Sequence, residues 1–307
     1  MDKQDDDIKL LEEILSHRDF DLKEKLGSGA FARVFKCYNR VTKIDMVVKV
    51  VKKEEVEQTW VKSNMRPEAE LASRFKHPHI IRIFSAIVTG KHMFTFMELV
   101  PNGTLEQKIW KEENRQGQDT PAFKPQIIEI NQLVTWFSQV ASALCYMHEK
   151  NFAHRDLKPD NVFIDQYERT KLGDFGFVTK IRAQGGSLSR TRCGTLQFQA
   201  PEISPSSRED FQSQDRGYNA GLADVWALGQ MTFYMTYFVY AFDSVDKKTS
   251  LQLKREGKLQ FPPAKWRKPI PGLLTTAITR MMDPRPETRI DSTRLVKFIN
   301  DHMMIVF

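Results

Sequence analysis

Two glycines in LGSGAFARV, Gly27 and Gly29, fall between two strand-like runs. Glycine lets backbone amides approach an anion closely and reach conformations closed to other residues, so this stretch could wrap a phosphate. A bare hairpin turn is the plainer reading of a lone Gly-x-Gly. Ala32 stands where G-x-G-x-x-G would carry its third glycine, and strand rather than helix follows. That context sets aside a Rossmann or P-loop arrangement and leaves a flap folded over a nucleotide. Such a flap predicts a cation on the next strand, in reach of the α- and β-phosphates, and Lys49 in MVVKV stands there. A flexible lysine stem needs a carboxylate to hold it. The nearest helical stretch offers Glu68 and Glu70, with Glu68 nineteen residues after Lys49 and ten before Pro78.

The second concentration of chemistry is the octet HRDLKPDN at 154–161, directly after the apolar run from Val140 to Met147. It gathers a histidine, two cations, two carboxylates and an amide into eight positions. A charge run is most often a solvated loop, so the octet needs partners elsewhere to mean more.

The elements that must position these groups change character along the chain. Ile8, Leu11, Ile14 and Leu15 recur at helical spacing, which predicts a short amphipathic helix over 1–18 laid against the main fold. From Phe20 to about Val100 the pattern is strand-like, in FDLKEKLGSG, ARVFKCYN, DMVVKVVK, IIRIFSAIV and HMFTFMELV. One helix is expected there, RPEAELASRFKH from Arg66 to His77, closed by Pro78. After Pro101 the period becomes helical, with Ile130–Lys150 and Leu222–Phe238 apolar enough to be buried on most sides. Polar inserts are expected at 106–129 and 203–220, the first as a tolerated loop or a docking element.

Composition narrows the class. The chain has 307 residues, 41% of them hydrophobic and 11% aromatic, enough for a sizeable core. Its 46 basic and 39 acidic residues give +7, but the signs are interspersed, which argues against dedicated nucleic-acid binding. Cys37, Cys145 and Cys193 are too few and scattered for a disulfide framework or zinc site, so an intracellular, cytoplasmic setting is expected, with the nucleus compatible. The acidic start MDKQDDD lacks a secretory pattern, and no apolar stretch approaches the length of a membrane span.

Taken in order, the glycine-rich loop at 27–34, Lys49, Glu68, HRDLKPDN, GDFG at 173–176, APE at 200–202, DVWALG at 224–229 and Arg289 resemble the eukaryotic protein-kinase family, serine/threonine type. The likeness runs from about residue 20 to the C-terminus. It implies an α+β, two-lobed fold: a small antiparallel-sheet lobe with one helix (19–100) and a larger, mainly helical lobe (101–307), preceded by the 1–18 extension. Local phrases such as WFSQ and NVFID are similar to NIMA-related kinases, while HRDLKPDN and DFGF are similar to the calcium/calmodulin-dependent group.

The resemblance implies roles. Asp156 would orient the acceptor hydroxyl, Lys158 would neutralise the moving phosphoryl group, and Lys49 with Glu68 would hold the ATP phosphates. Asn161 and Asp174 would hold Mg2+. Leu26, Gly27, Ser28, Gly29, Ala30 and Phe31 would cover the phosphates. Glu98 to Val100 would present backbone to adenine behind Met97, with Val34, Val47, Leu105 and Phe163 sandwiching the ring. Val47 departs from the family's usual alanine and crowds that face. His154 and Phe175 would be packing residues, Asp224 would cap the catalytic-loop backbone, and Glu202 with Arg289 would form a buried ion pair.

The implied activity is transfer of the γ-phosphoryl group of Mg-ATP to protein serine or threonine. Thr195 and Lys158 favour that class over tyrosine. Arg155 would receive an activating phosphate, expected on Thr191, with Ser187 or Ser189 as alternatives. Asp160 fills one of the family's paired acidic positions and Tyr234 the other, so no strong arginine preference is expected. A nucleotide-binding pseudokinase or scaffold is the alternative, and the presence of Lys49, Asp156, Asn161 and Asp174 speaks against it.

Overall fold

Along a β-branched run, side chains alternate between two faces, so pairing register decides what each face of a sheet carries. The computed structural model describes residues 3–28, 32–52, 74–113, 122–181, 189, 192–203, 217–244, 246–262 and 270–303. The chain divides into two compact units, residues 1–76 with 81–100 and residues 77–80 with 101–307.

In the first unit, β1 (Phe20–Ser28), β2 (Ala32–Asn39), β3 (Ile44–Lys52), β4 (Ile83–Val88) and β5 (His92–Glu98) form one antiparallel sheet in the order β1-β2-β3-β5-β4. The β2–β3 turn is held by Asn39 Oδ1, which accepts from the amides of Val41 and Thr42 at 2.9 Å each. Val34 and Thr95 flank Lys49 across the sheet, and Met97 lies opposite Val47, so these residues share one face. The other face carries Phe35, Cys37, Met46, Val48, Val50, Phe94 and Phe96, all buried.

That apolar face is covered by α1 (Lys3–Ser16), whose Leu11 and Leu15 are 1% and 0% exposed. Arg40 ties the end of the helix down. Its Nη2 donates to the Ser16 carbonyl at 3.0 Å and its Nη1 pairs with Asp21 at 3.0 Å. The helix expected over Arg66–His77 lies largely outside the described residues, and 74–77 are not helical.

The second unit is built on α3 (Ile130–Glu149) and α4 (Ala220–Tyr237), both buried along most of their length as their composition predicts. Gly229 in α4 permits a close approach to α6 (Gly272–Met281), because a Cβ there would lie 2.8 Å from that of Met281. The remaining described α-helices are α2 (Leu105–Ile109), α5 (Lys247–Glu256) and α7 (Ser292–Phe298). The 106–129 insert is more structured than a loop: β6 (Trp110–Glu113) and β7 (Ala122–Pro125) make a hairpin. Its anchor is Trp110, whose Nε1 donates to the Tyr234 hydroxyl at 2.6 Å while the ring packs edge-on to Phe238. Among the described residues no helix is long and apolar enough to cross a membrane.

Two short ladders frame the chemistry. β8 (Phe152–Ala153) pairs with β11 (Thr179–Lys180), and β9 (Val162–Ile164) pairs with β10 (Thr170–Leu172). The segments 154–161 and 173–178 are thereby held side by side at both ends.

If α1 is docked by its apolar stripe, Leu11→Ala and Leu15→Ala should each destabilise the protein by about 2–5 kcal/mol, the usual range for emptying a leucine site in a core. Urea unfolding of the purified chain measures this, and a loss well under 1 kcal/mol would show the helix to be dispensable.

Candidate active site

The base of the site is a buried carboxylate. Asp224, 1% exposed, accepts the amide of His154 through Oδ2 and that of Arg155 through Oδ1, both at 2.7 Å. His148 Nε2 lies 3.0 Å from the same Oδ2, and its Nδ1 is 2.8 Å from the Ser292 hydroxyl. Arg155 has a left-handed backbone (φ 69°), an unfavourable state for a non-glycine residue, sustained here by those amide contacts. Gly194 (φ 93°) passes so close that a Cβ would fall 2.5 Å from the Arg155 carbonyl oxygen, so only glycine fits.

His154 is fully buried and partnered at both ring nitrogens. Its Nε2 donates to the Gly173 carbonyl at 2.9 Å and its Nδ1 accepts from the Asp156 amide at 3.3 Å, an arrangement that fixes the tautomer. The Phe175 ring meets it edge-on at 5.8 Å. Both are packing residues.

Asp156 is the centre of the hydrogen-bond network. Its Oδ1 accepts from the Thr195 amide and hydroxyl, each at 2.9 Å, and its Oδ2 accepts from Asn161 Nδ2 at 3.0 Å. Lys158 Nζ donates to Thr195 Oγ1 at 2.9 Å and lies 3.4 Å from Asp156 Oδ2. A carboxylate, an ammonium and a hydroxyl are therefore locked in one small cluster, with Asp156 only 7% exposed.

Asn161 also donates Nδ2 to the Asp156 carbonyl at 2.8 Å, which commits its nitrogen and leaves Oδ1 as the oxygen ligand on offer. The β9–β10 ladder continues as Gly173 N donating to Asn161 O at 2.8 Å, placing Asp174 directly beyond. Asp174 is exposed and left-handed (φ 54°), and its Oδ1 lies within ordinary contact distance of the Gly176 position. Two oxygen donors of this kind suit Mg2+, which keeps several waters and takes its remaining oxygens from phosphates. Among the described residues there is no cluster of three His, Cys, Asp or Glu that could cage a metal alone.

The first unit, taken by itself, carries further residues that the sequence singled out. Lys49 is partly buried on the face it shares with Val34, Val47 and Met97. A Cβ on Gly27 would meet no atom within 4 Å, so the backbone of that stretch is open to an approaching group. The Glu98 amide donates to the Arg82 carbonyl at 2.9 Å while its side chain accepts from the Arg82 amide at 2.7 Å, which fixes the strand end before Leu99 and Val100. Leu26 is exposed and Ser28 pairs with Arg33. In the second unit Leu105 is fully buried, and Phe163 bridges to Thr104. Gly29, Ala30, Phe31, Glu68 and Thr191 lie outside the described residues.

A sequence model of the protein kinase domain matches residues 20–299. The chain belongs to the protein kinase family. It is 28% identical over 280 residues to CBL-interacting serine/threonine-protein kinase 14 of Arabidopsis thaliana, covering 90% of this chain and 57% of that protein. It is 27% identical over 282 residues to CBL-interacting protein kinase 8 of Oryza sativa subsp. japonica, covering 92% and 56%. The chain thus spans about half the length of the curated relatives it matches. The five-stranded antiparallel unit and the helical unit are the two lobes of the family's fold.

Several contacts in this kinase domain were not legible in its sequence. Ser189 forms an isolated two-way bridge with Tyr218, at 2.8 and 2.9 Å, and Arg155 Nη1 donates to its hydroxyl at 3.2 Å. Burial pushes the Tyr218 phenol up to about 12 and raises the Cys193 thiol, with Arg155 pulling the thiol partly back. A raised thiol is a poor nucleophile, which fits packing better than redox sensing. Glu106 accepts from the Tyr234 hydroxyl at 2.9 Å, and burial lifts its carboxyl above the usual range. A carboxylate thus reaches the position where the sequence showed only a tyrosine. Tyr218 and Glu106 carry no motif, so only the folded contact reveals them.

Glu202 and Arg289 form the expected pair, bidentate at 2.7 and 3.0 Å, with Arg289 Nε also donating to the Asp283 carbonyl at 2.8 Å. Arg289 is 3% exposed and lies over the Trp226 ring. Glu202→Ala should therefore cost roughly 3–5 kcal/mol, because a buried guanidinium is left without its counter-charge. Chemical denaturation reads this, and a cost near that of a surface pair, about 0–1 kcal/mol, would contradict the geometry.

Proposed function

We propose that this chain is an ATP-dependent serine/threonine protein kinase, transferring the γ-phosphoryl group of Mg-ATP to hydroxyls of protein substrates. The observation that carries the reading is the cluster of Asp156, Lys158, Asn161 and Thr195 around one carboxylate. Asp156 is held so that an oxygen can accept a hydrogen bond from an acceptor hydroxyl and point its lone pair at phosphorus. Lys158 supplies a fixed positive charge beside that oxygen. Because phosphoryl transfer makes little covalent demand on the protein, positioning and charge of this kind account for most of the catalysis available.

Asn161 Oδ1 and Asp174 would hold Mg2+, which when bound screens the charge of the triphosphate. Lys49, with Glu68 bracing its stem, would take the phosphates, and the glycine-rich residues Leu26 to Phe31 would cover them. Val34, Val47, Met97, Leu105 and Phe163 would form the adenine walls, with Glu98 to Val100 as the hydrogen-bonding edge. Val47 is buried, so its extra methyls narrow the space for the base without opening the sheet to water.

Activation-segment phosphorylation is the switch we favour, with Ser189 as the acceptor on geometric grounds. Among the described residues Arg155 Nη2 has no hydrogen-bond partner, while Nη1 is already on the Ser189 hydroxyl. A phosphate there adds nearly two negative charges opposite a buried guanidinium. Thr191, the position expected from the family's spacing, is the competing acceptor.

Two tests follow. Asp174→Ala should leave the fold intact and reduce phosphate transfer to a generic acceptor protein by at least ~100-fold, since a magnesium ligand is lost. Full activity in that variant would favour the pseudokinase or scaffold reading. For the switch, Ser189→Ala should lower kcat about tenfold or more and abolish the activation-segment phosphate that mass spectrometry is expected to detect in the active wild-type chain. A loss confined to Thr191→Ala would move the acceptor to that residue.

A further inference from the structure

α5 is a surface helix with one buried residue, and that residue is a lysine. Lys254 is 6% exposed, while the neighbouring Gln252 and Glu256 face solvent. An ammonium buried without partners is costly, and a helix turned toward a protein interior ordinarily spends such a position on an apolar side chain. Here the three donors of the ammonium meet three backbone carbonyls of one segment: Leu196 at 3.1 Å, Gln197 at 3.4 Å and Gln199 at 2.9 Å. Residues 194–200 contain no ionisable side chain, so the anchorage is charge to peptide dipole rather than ion pair.

The segment so held is the one that closes on Asp156. Thr195, immediately before the first anchored carbonyl, gives its amide and hydroxyl to the Asp156 carboxylate at 2.9 Å each. The turn is tight: the Phe198 amide donates to the Thr195 carbonyl at 3.0 Å, and Gln199 Nε2 donates to the carbonyls of Cys193 and Gly194 at 3.1 and 2.9 Å. Phe198 is buried, whereas Leu196 is 41% exposed one residue from the catalytic cluster. A large apolar side chain presented there is available to an incoming polypeptide and not to the nucleotide's phosphates.

We propose that Lys254 is a positioning residue for the protein substrate: by gathering the carbonyls of Leu196, Gln197 and Gln199 it sets the shape of the 195–199 turn, and through it the presentation of Leu196 beside Asp156. Burial holds the ammonium down to about 8, well below an ordinary lysine, which agrees with a site where backbone carbonyls and no carboxylate meet the charge. The proposal rests on the kinase reading above and adds to it the element that selects how the acceptor chain docks.

The test pairs kinetics with hydrogen exchange on the full chain. Lys254→Met keeps the length of the stem and removes every donor. We expect the KM for an acceptor peptide to rise about tenfold or more while the KM for Mg-ATP changes less than about twofold, the pattern of lost substrate positioning. Amides of 195–199 should exchange faster in the variant while those of α4 stay unchanged. Unaltered exchange in that segment would overturn the anchoring role. Faster exchange with an unchanged peptide KM, or with both KM values rising together, would reduce Lys254 to a structural brace and overturn the positioning role. Should the Met variant not fold, Lys254→Gln retains two donors on a shorter stem and is held to the same outcomes. A wild-type chain that transfers no phosphate would count against the kinase reading alone, and the exchange comparison would still decide whether Lys254 holds the turn.

Discussion

The conformation of the 154–161 segment depends on one buried carboxylate. Asp224 sits at the start of a helix apolar enough to be enclosed on all sides, and its two oxygens accept the successive amides of His154 and Arg155. A desolvated carboxylate needs strong donors, and two backbone amides at 2.7 Å supply them. The same contacts stabilise a left-handed arginine that the chain would otherwise avoid. Strain at Arg155 is thereby converted into direction: its backbone delivers Asp156 to the Thr195 and Asn161 donors while its buried guanidinium reaches the Phe177 carbonyl and the Ser189 hydroxyl.

Rigidity spreads from that point through short elements rather than through a large sheet. The β8–β11 and β9–β10 ladders are only two and three residues long on each side, yet they clamp 154–161 and 173–178 at both ends. Between the clamps, His154 joins the two segments by donating to Gly173 while accepting from Asp156. Each polar group in this network serves a second one, and such mutual satisfaction is what lets a cluster of charges be buried without collapse. The first unit solves a different problem. Its sheet has two apolar faces, and α1 covers the one opposite Lys49, so the lysine's strand is packed from behind as well as paired on both edges.

The 193–203 stretch illustrates how one segment can answer to several neighbours. Thr195 answers to Asp156 and Lys158, the carbonyls of Leu196, Gln197 and Gln199 to Lys254, and Glu202 to Arg289. These anchors come from the 154–161 segment, from α5 and from the chain just before α7. The segment is therefore positioned by the tertiary structure of the helical unit, with little regular structure of its own. The match to the protein kinase domain over residues 20–299 places the domain in its family, and Val47 and Tyr234 stand where the family pattern leads one to expect other residues.

The sequence by itself determined the five strands of the first unit, the two long buried helices of the second, the apolar stripe of α1 and the identity of the groups around Asp156. These are local properties: periodicity shows in any window, and HRDLKPDN, DFG and APE each fix residue types at fixed spacing. The buried nature of His154, the Glu202–Arg289 pair and the capping by Asp224 were also legible, because each belongs to such a motif. What only the tertiary structure decided is which unmarked side chains meet. Glu106 reaches Tyr234 across 128 positions, and Lys254 finds three carbonyls more than 50 residues away. The 106–129 insert became a hairpin for the same reason, since Trp110 needed a partner for its indole N–H and found Tyr234. Side-chain donors and acceptors are satisfied in space, and a linear pattern does not encode a distance between residues that no motif ties together.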